Sequence, residues 1–493
     1  MLQNLLAVLP ELALTVTVLA LLIVDLAVGD RPARRGALVG VAFVGLLLAG
    51  AAFALLPDVP TAFDGLVSGD GLGRFFRGLF LAAGLFGVAF GAISDEIQPR
   101  RFGEFAVLLL STTLGMCFLS MARNLLMIVL ALELTSLPSY VLAGFRRGDR
   151  RSSEAALKYV IYGAAASGLM LYGFSLLYGL TGTLDLGRLG PLLAAKVAGG
   201  SLGVRAALAL AGLLSLVGFG YKVAAVPFHQ WCPDVYEGAP TPVTAFLSIG
   251  PKAAGVAALL RFLGEGFGAA GAIPTPGALP WPYLLGVVAV ATMTLGNLAA
   301  IPQDNVKRLL AYSSIAHAGY LLMGVAVGTP DATRAVLLYA PIYLLMNLGA
   351  FLAVLIVRER TGSESLAAFR GLGTRSPVLA VGLTICLFSL TGVPPFAGFI
   401  GKFYLFAAAL KVGTPFFYVV ALIGLANSVV SLYYYLRLVK AMFLERAPGG
   451  APEVTVSSPA LALLAVFAVP SLVLGVWWGP LADLASRALG LAS

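Results

Sequence analysis

Apolar runs of about twenty residues follow one another along nearly the whole chain, separated by short polar breaks. That is the length of an α-helix that crosses the hydrocarbon of a bilayer. Barrel strands would be about ten residues long with alternating faces, and no such alternation recurs. The pattern predicts fourteen helical spans, roughly 2–28, 37–57, 75–94, 104–121, 124–144, 154–180, 204–230, 240–263, 283–301, 308–328, 332–357, 378–411, 415–444 and 458–485. The breaks have loop chemistry, as in DRPARR, FRRGDRRSS, IPQDNVKR and ERAPGGAPE. No long polar segment interrupts the series, so residues 1–493 read as one all-α, polytopic membrane domain.

Spans 7 and 12 depart from the pattern. GYKVAAVPFHQW (220–231) breaks span 7 at Pro227, and LTGVPPFAGFIGK (390–402) breaks span 12 at Pro394 and Pro395. Paired Gly/Pro-interrupted spans in two halves of a chain point to discontinuous helices around a transport site. Their separation suits two five-helix units, 104–263 and 283–444, preceded by helices 1–3 (1–103) and followed by a C-terminal helix (445–493). An odd number of helices per unit inverts the second relative to the first.

Composition sharpens the class. The 493 residues are 59% hydrophobic and 11% charged, with a mean hydropathy of +0.95; soluble domains are about a quarter charged. The three cysteines are far apart with no CxxC spacing, which argues against an iron–sulfur or zinc site. No basic residue precedes Arg31, so the first run reads as a retained span rather than a signal peptide. With residues near span ends counted to the side they adjoin, the 32 Lys and Arg divide into 18 on the side of the odd-numbered connections, 10 on the opposite side and four lysines inside spans. The positive-inside rule then puts the odd connections in the cytoplasm and both termini outside. The connection after span 7, CPDVYEGAPTP, carries no positive charge and gives no support. The net charge of +9 is therefore mainly topogenic, which excludes a nucleic-acid partner.

The charges inside spans carry the chemistry. Glu133, Lys222, Lys252 and Lys402 lie in apolar runs, and Lys158 lies about a turn inside span 6 with Glu154 four residues earlier. Left unpaired, the first four would cost about 10–14 kcal/mol in the bilayer. Burial destabilises an ammonium and a nearby carboxylate restores it. Glu133 beside Lys222 would hold the charge, and separating them would release a proton. His317 and His229 could extend such a relay. The plainer alternatives are snorkelling for Lys158, capping of freed carbonyls by Lys252 and Lys402, backbone satisfaction near Pro138 by Glu133, and core histidines.

KYVIYGAAASGLMLYGFSLLYGLTG, GYKVAAVPFHQWCPDVYEGAPTPVTAFLSIGPK, KRLLAYSSIAHAGYLLMG and LTGVPPFAGFIGKFYLF resemble subunit N of the bacterial proton-pumping NADH–quinone oxidoreductase, complex I, and are similar to the Mrp-type antiporter family. The resemblance covers nearly the whole chain. It implies two inverted units with broken helices 7 and 12, Glu133 and Lys222 as a paired acid and lysine, Lys252 as the central lysine, and His317 on the path to Lys402. Lys158 resembles an additional lysine of subunit N, and Tyr343 stands where some relatives have a second histidine. The resemblance further implies no cofactor in this chain. NADH, FMN, iron–sulfur clusters and quinone would belong to the wider complex, with subunit M and small membrane subunits as partners in a bacterial inner membrane. A secondary Na⁺/H⁺ antiporter subunit and a structural scaffold are the alternatives in other classes.

Overall fold

In a computed structural model of the chain, the apolar runs become helices. The structure describes residues 2–29, 31, 33–56, 61–267, 280–450 and 452–491. Among these, thirteen helices are long and apolar enough to cross a membrane. Span 12 supplies the fourteenth crossing from two shorter pieces, Pro377–Thr391 and Ala397–Lys411. Burial is uneven: span 8 (Thr241–Gly266), span 10 (Val306–Val327) and span 11 (Pro330–Thr361) are about nine-tenths enclosed by protein. Span 1 (Leu9–Val28), span 2 (Arg34–Ala54) and span 14 (Ser458–Val476) turn large apolar side chains outward, as a surface in contact with lipid requires.

Contacts between connections sort them onto two faces. Glu96, after span 3 (Gly71–Ile93), accepts from Thr241 N at the start of span 8 (3.0 Å), pairs with Arg358 at the end of span 11 (3.2 Å) and pairs with Arg146 after span 5 (Leu125–Ala143). On the opposite face, Ser68 N donates to Met121 O (2.8 Å) and Leu125 N to Leu184 O (2.8 Å). The connection after span 7, which lacks positive charge, thus joins the other odd-numbered ones, as alternation requires.

The two units share local devices on opposite faces. Span 6 (Arg150–Thr181) and span 11 each have 32 residues and end on a left-handed glycine, Gly182 (φ 69°) and Gly362 (φ 70°). Glycine takes that conformation without a Cβ penalty. Thr181 and Thr361 bond back to Leu177 O (2.7 Å) and Val357 O (2.8 Å). Isolated bridges then join Asn124 to Asp185 and Asn305 to Ser365. An ion pair at each end is charge-reversed: Arg123 with Glu265 (2.6 Å) in the first unit, Arg437 with Asp304 in the second.

Two helices depart from the predicted pattern. Span 14 stops at Val476, and Gly479–Ala488 follows as a separate helix rather than extending the span. Leu186–Gly199 forms an amphipathic helix in the connection after span 6. Its Leu186, Leu189, Leu193 and Val197 are buried while Arg188 and Lys196 face outward, the distribution of a helix lying at an interface.

Candidate functional site

The breaks are built alike. Span 7 ends at Val223, and the next helix, Trp231–Gly238, begins past the predicted end of the span at 230 and runs into the CPDVYEGAPTP connection. Ala224 takes a left-handed conformation (φ 59°), and the amides of Ala224 and Ala225 cap Tyr221 O (3.0 Å) and Gly220 O (2.8 Å). Val226–Pro227 is cis, and Val226 N donates to Thr292 Oγ1 (3.0 Å) on span 9 (Trp281–Ala300). In span 12 the left-handed residue is Gly392 (φ 85°), capping Phe388 O (3.0 Å), and Pro394–Pro395 is cis. A methyl group on Gly475 of span 14 would overlap Pro395 O, so glycine lets that span lie directly on the break. Both breaks satisfy part of the polar backbone that an interrupted helix frees.

Lys222 sits in the last turn before the first break, 1% exposed. Its Nζ donates to Ser136 Oγ on span 5 (2.8 Å). Glu133, one turn earlier on that helix and half-buried, makes no ion pair with Lys222, although it lies close enough to act on it electrostatically. The expected acid–lysine pair is therefore a neighbouring couple with Lys222 set on a hydroxyl. Gly255 of span 8 packs on the lysine stem; a methyl there would come 3.1 Å from Lys222 Cγ.

Lys252, three residues before Gly255, begins a line of polar groups through the enclosed middle of the protein. Its Nζ donates to Ser314 Oγ (2.6 Å), approaches Cys232 Sγ (3.5 Å) and lies 5.2 Å from the Tyr236 ring centroid. Ser314 also accepts from Tyr343 OH (2.9 Å). A cavity of about 10 Å³ borders Lys252, Ser314 and Tyr343, on the order of one water molecule. The Tyr343 ring stacks on His317 (centroids 4.9 Å), and His317 Nδ1 is hydrogen-bonded to Tyr339 OH. Tyr320 contacts His317 edge-on (5.8 Å) and carries Lys402 Nζ over its face (4.6 Å). Lys402 donates to Leu390 O (3.0 Å), Thr391 O (2.8 Å) and Ser428 Oγ (2.9 Å). Three acceptors match the three donors of an ammonium, and two of them are carbonyls freed by the break, so Lys402 also caps the first half of span 12.

The auxiliary residues divide. Lys158 lies among carboxylates near one face, bonded to Asp234 (2.6 Å) and Glu154 (2.8 Å), and Asp234 also pairs with Arg308 (2.6 Å). A 190 Å³ cleft lined by Arg151, Glu154, Asp234 and Glu237 opens beside it. His229 lies in the break, half-buried, with no hydrogen-bond partner at Nδ1 among the described residues. The geometry does not bring it into the line.

Sequence reasoning missed Ser136, Ser314 and Tyr339, whose types are ordinary in apolar helices, and Asp234, which lies in the polar stretch PDVYEG outside the predicted spans. It also missed Glu11 and Arg77, both 1% exposed, joined by bonds of 2.8 and 2.6 Å. Their signal was present, since each is a charge inside an apolar run. Among the described residues no three His, Cys, Asp or Glu side chains are placed to hold a metal ion.

Comparisons with known proteins agree with this architecture. The family model described as NADH:quinone oxidoreductase/Mrp antiporter, TM, matches residues 122–428. NADH-quinone oxidoreductase subunit N of Anaeromyxobacter sp. (strain Fw109-5) is 48% identical over 487 residues, covering 96% of this chain and 94% of that one. Subunit N 2 of Sorangium cellulosum (strain So ce56) is 47% identical over 494 residues, covering 98% and 96%. Among solved structures, a chain of respiratory complex I from Thermus thermophilus with bound Aureothin aligns with TM-score 0.79 and 37% identity, over 96% of this chain and 98% of that one. A chain of the Mrp complex from Dietzia sp. DQ12-45-1b aligns with TM-score 0.76 at 23% identity, over 99% and 97%, a likeness of fold.

Proposed function

The chain belongs to the NADH:quinone oxidoreductase/Mrp antiporter membrane family, with subunit N proteins among its relatives, and from that premise we propose that it is the proton-translocating, antiporter-like subunit N of a respiratory complex I. Electron transfer from NADH to quinone takes place in other subunits, where FMN and iron–sulfur clusters reside. This chain moves protons through Glu133, Lys222, Lys252, His317 and Lys402, with Tyr343 joining the central lysine to the histidine. Lys158, with Glu154 and Asp234, serves the mouth of the path. The observation that supports this reading is the line from Lys252 through Ser314, Tyr343 and His317 toward Lys402, enclosed in protein and flanked by the two breaks. Polar groups are kept at such depth where ions or protons move.

The units are 104–263 and 283–444. The subunit lies in a bacterial inner membrane with both termini outside, against subunit M and small membrane subunits. Moving one proton against 100 mV costs about 2.3 kcal/mol. Two opposite charges 4 Å apart attract by about 4 kcal/mol at an effective dielectric of 20. Making and breaking the Glu133–Lys222 contact is thus of the right size to drive a proton step.

The test is Lys222→Ala in the assembled complex, in membrane vesicles driven by NADH and monitored with a pH-sensitive dye. Acidification per NADH oxidised should fall while the complex stays assembled. Unchanged acidification would remove the relay reading and favour a scaffold. Sodium-dependent proton exchange by a preparation lacking FMN subunits would favour the antiporter.

A further inference from the structure

We propose that Ser136, backed by Tyr140 and Tyr221, is a dock for Lys222 that competes with Glu133, so that the lysine has two places to rest on one helix. The proposal rests on the reading of Lys222 as a proton carrier and adds the partner that holds it away from the acid.

Three observations converge. Ser136 is fully buried, and its hydroxyl proton is committed to Leu132 O (2.6 Å). Its oxygen is thereby left with two lone pairs, one of which receives Lys222 Nζ at 2.8 Å. Tyr140, one turn further along span 5, brings its hydroxyl beside that of Tyr221, both lying against Gly163 of span 6. Tyr221 OH donates to Tyr159 O (2.8 Å) on span 6, which fixes that ring. Finally, Gly163 on span 6 faces the two phenols. A methyl there would overlap the Tyr140 hydroxyl and come 2.8 Å from that of Tyr221, so glycine provides the space in which they meet behind Ser136.

Glu133 and Ser136 are three residues apart, and side chains at that spacing share a helix face. A flexible lysine stem can reach either one by rotating about its own bonds, with both helices stationary. In this structure Nζ is on the serine. A hydroxyl oriented by Leu132 O offers a neutral acceptor, whereas the carboxylate offers charge. The dock therefore sets how readily Lys222 leaves Glu133. Ser136, Tyr140 and Tyr221 are positioning residues acting through Lys222.

The experiment compares Ser136→Ala, Ser136→Thr and Tyr140→Phe in the assembled complex. It measures protons moved per NADH oxidised and the position of Nζ by electron cryomicroscopy. A hydrogen bond to a charged group is worth about 1.5–3 kcal/mol, so Ser136→Ala should shift the dock-to-Glu133 ratio about 10- to 100-fold. Nζ should then be found on Glu133, and proton yield should fall at undiminished NADH oxidation. Ser136→Thr, which keeps the hydroxyl, should retain both position and yield. Tyr140→Phe leaves Ser136 in place and should give a smaller fall, which keeps the test open if Ser136→Ala does not assemble. Normal yield with Nζ unmoved in Ser136→Ala, alongside loss in Lys222→Ala, would overturn the dock and leave the proton-carrier reading standing. Normal yield in Lys222→Ala would overturn the reading itself.

Discussion

Replacing Arg77 with methionine would strand Glu11 as a lone carboxylate inside the protein. Arg77 lies two turns into span 3 and Glu11 in the first turn of span 1, each 1% exposed. Arg77 Nε donates to Oε1 (2.8 Å), and Nη2 donates to Oε2 (2.6 Å) and to Ala7 O (3.1 Å). Two scales bear on the magnitude. Removing one partner of a buried pair costs about 3–5 kcal/mol. A single acid at the centre of a span costs about 2.5–3.5 kcal/mol to insert, which bounds from above the cost at Glu11 in the first turn of span 1. Together they put the single substitution near 3 kcal/mol, a loss of about a hundredfold in the equilibrium that seats span 1 on span 3. Replacing both residues, Glu11→Leu with Arg77→Met, removes the stranded charge, and apolar replacements of buried pairs are often neutral or stabilising. The assay is the fraction of intact complex on native gels after graded heating, for the parent, both single variants and the double. The singles should dissociate at lower temperature and the double should recover. If Arg77→Met were as heat-resistant as the parent, or the double no better than the singles, the pair would not be the clamp its geometry indicates.

Gly475→Ala places a methyl against backbone atoms at Pro395, which cannot rotate away; overpacking of this kind costs about 1–3 kcal/mol. It should lower the yield of assembled complex on native gels, whereas Gly449→Ala, with open space around it, should not. Glu364 lies outside the spans, between Lys307 (3.1 Å) and Arg358 (3.1 Å), with Arg146 beyond. Burial pushes its carboxyl up, but these cations outweigh burial and hold it below the ordinary value. A lowered carboxylate stabilises the fold above its unfolded value, about 4.3, and loses that contribution as pH falls through the folded one. The thermal midpoint should therefore drop below about pH 4, and Glu364→Gln should flatten that limb while lowering stability near neutrality.

Much of the architecture was legible because hydropathy is local. A run of twenty apolar residues must become a helix wherever lipid surrounds it, since each backbone group has to be satisfied within the segment. The breaks at Pro227 and at Pro394 and Pro395 were legible for the same reason: proline removes a donor and marks where the ladder stops. The inverted repeat was only half read. TGT at 181–183 and TGS at 361–363 end matching 32-residue helices, a signal short enough to be passed over.

The burial of Lys222, Lys252 and Lys402 was likewise written in the apolar runs that carry them, and the structure leaves them 1–3% exposed. Their partners were not. Whether Lys222 meets Glu133 or Ser136 depends on the rotation of span 5 about its axis, and those residues differ by three positions on one face. Lys158 found Asp234, 76 residues away, as well as its neighbour Glu154. Tyr343 reaches the central line because span 11 packs against span 10 with the Ser314 hydroxyl between them. The sequence by itself determined where helices cross, where they break and which charges go inside. Only the tertiary structure decided which groups those charges touch, because helix rotation and packing are set by contacts among spans far apart in the chain.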